Sequence, residues 1–398
     1  MNTLWNPSPT ASSVFLAPSA VIGGNEAAST VGTVLTDRLG LVAGGAVLLG
    51  VDDAVSAAGL VEPIATSLRE SGFRVEQRGG FGAEPSAEVL DPIIAEARAA
   101  GVDAVVGVGG GSVLDSSKLI ALMLKNDGTC ADWLGEAKPD NGVAPMVLIP
   151  TTCGTGSETT RVAMVTIAGS KRSSVCDLYI PPVAIIDPKL VASLPKSVIA
   201  ATGMDALAHA VEAMMATTAS MLSATHSLRA IELLIENLEA AANGDKEALA
   251  KVMWASHIAG QALNAGVVFG HSLAYSLAHA QPMPHGMSCA LALPYCIAFN
   301  QNLDAKLGER IARAITAGKS DSLRVAADEV AAMVTRLGLP ATLPEARIAE
   351  ADIPEIASMC VGSYPRPTNP EPFDEAKIAA LLEAMNTGDI ERAFAVTA

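Results

Sequence analysis

Asp103-Ala-Val-Val-Gly-Val-Gly-Gly-Gly-Ser112 decides the fold of this chain. A continuous apolar run ends in three glycines and a serine, and a helix-like stretch, Val113 to Leu124, follows. Strands that are apolar on both faces belong to buried parallel sheets. The turn presents backbone N–H groups at a helix N-terminus, a favourable seat for a pyrophosphate. Its spacing is not G-x-G-x-x-G, and taken alone it reads equally well as a tight strand-to-helix corner.

Three further runs share this texture: Ala46-Val-Leu-Leu-Gly-Val51, Met146-Val-Leu-Ile149 and Val183-Ala-Ile-Ile186. Helical stretches separate them, so residues 1–194 are expected to form an α/β, Rossmann-like nucleotide-binding domain with a parallel sheet. Past the prolines of Asp187–Pro195 the texture changes. Gly203–Thr217, Leu222–Ala241, Lys246–Ala265 and Val325–Leu337 are Ala/Leu/Met-rich with helical periodicity. Residues 195–398 are therefore expected to form an all-α domain. The first fifteen or so residues read as poorly ordered or as an edge element.

The chain has 398 residues, more than one ordinary core accommodates, which agrees with two domains. The net charge, 26 − 42 = −16, counts against nucleic acid and anionic membrane as partners. Met1 to Gly24 contains no Lys or Arg, so the basic start of a secretory signal is missing, and no stretch reads as a membrane span. Six cysteines without a C-x-x-C spacing suggest free thiols in a reducing cytoplasm.

All six histidines fall between His209 and His285. Asp205-Ala-Leu-Ala-His209 puts a carboxylate and an imidazole on one helix face. His271 and His285 follow, fourteen residues apart, with Pro282 and Pro284 between them. A lone helical histidine is more often packed than ligated. One carboxylate with three imidazoles is a mixed O/N set suited to iron(II) or zinc. An open position on such an ion would polarise an alcohol or carbonyl oxygen. His279, on the same face as Tyr275, is a candidate supporting partner for a ligand. His226 and His257 read as structural.

Two more features carry chemistry. Pro150-Thr-Thr-Cys-Gly-Thr-Gly-Ser-Glu158 is a hydroxyl-rich loop after a strand, able to bond a nucleotide or simply to cap a helix. Asp52, at the end of a strand, could accept a ribose diol and repel a 2′-phosphate; by itself it reads as a solvated carboxylate.

Taken in order, Gly109-Gly-Gly-Ser-Val-Leu-Asp-Ser-Ser-Lys118, Pro150–Glu158, Ile186-Asp-Pro188, Gly203-Met-Asp-Ala-Leu-Ala-His-Ala-Val-Glu212, Gly270-His271 and Pro284-His-Gly286 resemble the iron-containing alcohol dehydrogenase family. The resemblance spans most of the chain. It implies a dehydroquinate synthase-like architecture, with the active site in a cleft between the two domains. It implies a reversible hydride transfer between a small primary alcohol, or an ω-hydroxy acid, and NAD rather than NADP. It assigns Asp205, His209, His271 and His285 to iron(II), or to zinc in its place. Gly109, Gly110, Gly111 and Ser112 would hold the pyrophosphate, Thr151, Thr152 and Thr155 would line the cofactor site, Lys171 would lie near the nicotinamide ribose, and Asp52 would favour NAD.

The chain departs from the family pattern where a proton-relay histidine usually follows the third metal ligand. Tyr275 stands there, so its hydroxyl, His279 or water would carry the proton. Gly50 stands where a bulkier residue is usual before Asp52. Tyr179, Phe269, Tyr275, Tyr364 and Arg366 are candidates for the substrate pocket, with Arg366 also readable as a surface residue. The expected partners are a small alcohol or aldehyde and further copies of the chain, in a homodimer or larger homo-oligomer. The alternatives are a glycerol dehydrogenase-like or dehydroquinate synthase-like enzyme, or a non-catalytic member of the fold. The lyase reading suffers from a scarcity of basic residues around 205–290, where Arg229, Lys246 and Lys251 stand alone.

Overall fold

The computed structural model of the chain describes residues 12–398; most of the N-terminal stretch read above as poorly ordered or an edge element lies outside them. The chain divides into two compact units, residues 16–193 and residues 194–398, the latter joined by residues 12–15.

The first unit is built on nine strands: β1 (Ala20–Gly23), β2 (Ala46–Val51), β3 (Arg74–Arg78), β4 (Val102–Gly109), β5 (Gly135–Glu136), β6 (Met146–Pro150), β7 (Val162–Ile167), β8 (Ser170–Val175) and β9 (Val183–Ile186). Its helices are α1 (Val31–Asp37), α2 (Asp53–Ala57), α3 (Glu62–Glu70), α4 (Ala87–Ala99) and α5 (Gly111–Met123). Six strands form one parallel sheet in the order β1-β9-β6-β4-β2-β3. β5, β8 and β7 form a small second sheet around the β7–β8 hairpin.

The apolar runs explain the layering. Every residue of β2, β6 and β9 is buried. Successive side chains alternate between faces. Leu48, Val105 and Leu148 pack with Leu90 and Ile94 of α4 and with α5, while Val47, Leu49, Val106, Val108 and Ile149 pack with Val31 and Leu35 of α1 and Ile64 and Leu68 of α3. Helices thus cover both faces, as an all-parallel sheet requires. From β2 the chain goes outward to β3 and returns to β4 on the other side of β2. The strand order reverses there, so a crevice forms beyond the C-terminal ends of β2 and β4, where α/β sheets bind ligands.

The second unit is helical: α6 (Lys196–Met215), α7 (Met221–Ala242), α8 (Lys246–Leu263), α9 (Phe269–Ala280), α10 (His285–Phe299), α11 (Ala305–Ile315), α12 (Leu323–Arg336), α13 (Ile353–Gly362), α14 (Glu375–Thr387) and α15 (Ile390–Ala395). α6 is the one helix among the described residues long and apolar enough to cross a membrane. Yet 89% of its most apolar window is buried inside the fold, as expected of a core helix.

Candidate metal centre and dinucleotide loops

In the middle of α6, otherwise almost wholly apolar, Asp205, His209 and Glu212 are all buried. Their spacing, i, i+4 and i+7, stacks them on one face. His271 lies in the first turn of α9. His285 is the first residue of α10, because Pro284 caps that helix and starts a new direction of chain. Gly286, next to it, packs against α6 so closely that a Cβ would collide with the Ala201 carbonyl oxygen.

These three helices bring the predicted ligands together around one atom. Asp205 Oδ1 lies 3.8 Å from His209 Nε2, 3.6 Å from His271 Nε2 and 3.7 Å from His285 Nε2. The oxygen is buried and has no hydrogen-bond partner among the described residues. Those separations are too long for hydrogen bonds. They approach the ~3.4 Å between two ligands of one tetrahedral ion at bonds of about 2.1 Å. A buried carboxylate oxygen facing three imidazole nitrogens has the donor chemistry that iron(II) or zinc takes. The rings of His209 and His271 stack at 4.6 Å. The His285 side chain is a quarter exposed, so the cluster opens on its side.

Glu212 orients the set. His271 Nδ1–H donates to Glu212 Oε1 at 2.7 Å, and the His271 backbone N–H donates to Oε2 at 3.2 Å. With Nδ1 engaged, Nε2 is the atom that faces Asp205. Gly270 makes this approach possible, since a Cβ there would stand 2.6 Å from Glu212 Oε1. Burial works to lower the pKa of His271, but Glu212, Cys289 and Asp205 lift it well above the usual value. Burial works to raise the Asp205 carboxyl, and the imidazoles of His209, His271 and His285 hold it far below the carboxylate range. Glu212→Gln should weaken metal affinity by about 10–100-fold, read by competition with a chelator. Unchanged affinity would make Glu212 a packing residue.

His279 was expected to be the supporting partner and is not. It is exposed in the last turn of α9, and Glu212 fills that place. Sequence reading also passed over Cys289, one turn beyond His285, whose Sγ lies 3.5 Å from His285 Nε2. The signals were available: Glu212 is seven residues after Asp205, and Cys289 four after His285. Burial pushes the Cys289 thiol up to about 12. Tyr275 stacks on His285 at 5.0 Å and meets Tyr364 at 5.2 Å, both half-buried. Two expected pocket residues belong to cores instead. Tyr179 is fully buried in the sheet unit with its hydroxyl on Ser174 Oγ, and Phe269 is fully buried against Phe299 and Phe373. Arg366 is half-buried, and its Nε has no hydrogen-bond partner among the described residues.

In the sheet unit, Gly109 ends β4, Gly110 caps α5, and Gly111 and Ser112 open it. Thr151, Thr152 and Thr155 lie on the loop after β6, alongside this turn. A Cβ on Gly110 would stand 3.3 Å from Thr152 Cγ2, and one on Gly111 2.8 Å from Thr155 Cγ2. The missing Cβ atoms let the two loops meet this closely, most tightly at Gly111. Beneath them Lys118, fully buried, donates to Ser157 Oγ, Thr160 Oγ1 and the Val162 carbonyl. Burial pulls its pKa down to about 8 against the opposing pull of Asp115 and Glu158. Asp52 caps α2, its Oδ1 accepting from the N–H groups of Ala54 and Val55. Lys171 lies on β8 and bridges to Glu84 at 3.2 Å.

A parallel sheet with glycine and threonine loops at its switch point, and a helical unit with an O/N donor set, are the two parts that a dinucleotide- and metal-using enzyme needs. The comparisons agree. Residues 18–188 match the iron-containing alcohol dehydrogenase family, and residues 199–386 match the C-terminal region of the Fe-containing alcohol dehydrogenase family. The chain is 36% identical to long-chain-alcohol dehydrogenase 1 of Geobacillus thermodenitrificans, over 86% of this chain and 90% of that one. It is 32% identical to the NAD-dependent methanol dehydrogenase of Bacillus methanolicus, over 88% and 95%. The crystal structure of a 1,3-propanediol oxidoreductase superposes with a TM-score of 0.88 at 30% identity, covering 94% of this chain and all of that one. The chain belongs to the iron-containing alcohol dehydrogenase family, and its reaction is an alcohol–aldehyde oxidoreduction with a nicotinamide dinucleotide.

Proposed function

We propose that the chain transfers a hydride reversibly between a small primary alcohol and NAD, residues 1–194 serving the dinucleotide and 195–398 the metal. The observation that carries this reading is Asp205 Oδ1, buried and without a hydrogen-bond partner among the described residues, with three imidazole nitrogens facing it. Asp205, His209, His271 and His285 hold one divalent ion, iron(II) or zinc in its place. When bound there, the ion would supply Lewis acidity toward the substrate oxygen and the nicotinamide would supply the hydride acceptor or donor.

The chain's own residues do the rest. Glu212 keeps the His271 proton on Nδ1 and so fixes the direction of Nε2. Tyr275 and Tyr364 line the open, His285 side and exclude water from the carbinol carbon. The Tyr275 hydroxyl or a water passes the alcohol proton. The amides of Gly109, Gly110, Gly111 and Ser112 receive the pyrophosphate. Thr151, Thr152 and Thr155 bond the nucleotide beside it, and Lys171 reaches the ribose. Relatives named for long-chain alcohols, methanol and 1,3-propanediol support a primary alcohol. The free, buried cysteines support a reducing, cytoplasmic setting, and a homodimer or larger homo-oligomer is the proposed assembly.

Asp52 makes NAD the proposed dinucleotide, because its charge repels a 2′-phosphate. Asp52→Asn keeps the α2 cap and removes that charge. The ratio of kcat/KM for NADPH to that for NADH should rise by about tenfold, on the order of 1.4 kcal/mol. An unmoved ratio would remove Asp52 from cofactor choice.

The deciding experiment is metal analysis of anaerobically purified protein, with NADH oxidation assayed on straight-chain aldehydes with and without a terminal carboxylate. Metal bound in proportion to the chain, together with turnover, is expected. Protein that stays inactive after reconstitution with iron and zinc would overturn the reading. Preference for the carboxylate series would select a second reading, ω-hydroxy acids. The Arg366 Nε, without a hydrogen-bond partner among the described residues and two residues beyond Tyr364, favours that second reading.

A further inference from the structure

Three helices carry the proposed ligands: Asp205 and His209 on α6, His271 on α9 and His285 on α10. An end of each is bonded to one dipeptide that arrives late in the chain, Thr368-Asn369. Val268, at the head of α9, offers no side-chain cap, so the first N–H groups of that helix need partners from elsewhere. Phe269 N–H donates to Asn369 Oδ1 at 3.2 Å, two residues before His271. Thr368 Oγ1 donates to the Val267 carbonyl at 2.5 Å, just ahead of the same helix. α10 ends at Asn300, which is 1% exposed. Asn369 Nδ2 donates to Asn300 Oδ1 at 3.0 Å, and Asn300 Nδ2 returns a bond to Asn369 Oδ1 at 3.3 Å. Where the chain leaves α6, the Thr217 N–H donates to the Thr368 carbonyl at 2.9 Å. The Asn369 N–H donates in turn to the Arg366 carbonyl at 3.0 Å, closing the turn that follows Tyr364.

We propose that Thr368 and Asn369 are positioning residues of the metal site: the dipeptide ties the ends of α6, α9 and α10 together and so fixes the mutual distances of Asp205, His209, His271 and His285. The inference rests on the metal-site reading above. Each ligand is held rigidly on its own helix, but the set is useful only if the helices keep their spacing to within about 0.5 Å. Thr368 and Asn369 act on that spacing through the helix ends. The same turn carries Tyr364, whose ring meets Tyr275 at 5.2 Å, so the wall beside His285 and the ligand helices rest on one anchor. Loss of the anchor should therefore loosen the metal more than a buried bond elsewhere in the unit would. Thr316 supplies that comparison. It is buried at the end of α11, which carries no ligand, and its hydroxyl donates to the carbonyls of Ala312 and Ser320.

The test is cobalt(II) binding by the full chain, followed by the visible ligand-field bands of the bound ion and by competition with a chelator. Asn369→Leu keeps the side-chain shape and removes every amide bond. It should lower cobalt affinity by about tenfold and shift the bands. Thr368→Val should move both in the same direction, and Thr368→Ser, which keeps the hydroxyl, should restore them. Thr316→Val should lower the thermal transition and leave affinity and bands as in wild type. Unmoved affinity and bands in Asn369→Leu, or an equal loss in Thr316→Val, would overturn the positioning role and leave the metal site standing. Absence of visible bands in folded wild-type protein would overturn the metal site and this inference with it. Should Asn369→Leu fail to fold, the Thr368 pair decides. Weaker binding in Thr368→Val with recovery in Thr368→Ser supports the assignment, and equal binding in the two refutes it.

Discussion

Replacement of His271 by alanine is expected to lower kcat/KM by about a thousandfold or more, because polarisation of the substrate oxygen is worth several kcal/mol. The side chain joins two otherwise separate carboxylates, Nε2 facing Asp205 and Nδ1 bonded to Glu212. Its loss removes a ligand and the orienting contact together. The fold should persist, since the residue 271 backbone N–H still donates to Glu212 Oε2. Dinucleotide affinity should stay within about twofold, because the residues proposed to bind it all lie in the unit of residues 16–193. Steady-state kinetics, metal content and NADH titration of one preparation check all three. Retained turnover, or loss of the fold, would make His271 a structural residue.

Lys118→Met should destabilise the protein by about 3–5 kcal/mol, the cost of breaking a buried charge arrangement from one side. In a unit of this size that corresponds to a fall of roughly 6–20 °C in its thermal transition. The ammonium is fully buried and gathers Ser157 Oγ, Thr160 Oγ1 and the Val162 carbonyl, with Asp115 at 3.6 Å. Methionine matches its length and offers none of these bonds. Asp115 would keep its bonds from Ser157 Oγ and the Met164 N–H, but without a cation beside it. The loop holding Thr151, Thr152 and Thr155 would keep only the Asp115 part of its anchorage to α5, so NADH affinity should fall along with the transition temperature. Calorimetry with and without NADH separates the two effects. A shift below about 1 kcal/mol would mean that the network is dispensable.

What the sequence revealed depended on how each residue is stabilised. β2, β4, β6 and β9 were legible because they are buried on both faces and read as unbroken apolar runs. β3, Arg74-Val-Glu-Gln-Arg78, was not, because an edge strand is held by pairing and carries charge on its open side. The hairpin strand Ser170-Lys-Arg-Ser-Ser-Val175 hid for a similar reason. The convergence of Asp205, His209, His271 and His285 was legible from residue types and spacings. Glu212 escaped because a carboxylate in a helix ordinarily reads as a solvated face, and only burial on the α6 core reveals its task. Tyr179 and Phe269 misled because a large aromatic side chain suits a pocket or a core, and size alone does not choose between them.

β1 is made first and placed last. Its partner in the sheet is β9, so Ala20–Gly23 has no strand to join until Val183–Ile186 has left the ribosome. The Asp187 carboxylate then clasps the N–H groups of Glu26 and Ala28 across that junction. Closure over some 160 residues is entropically slow. A ribosome that stalls before residue 187 would therefore present a sheet whose β9 edge is missing and whose first strand trails free, the species a chaperone or a protease would meet.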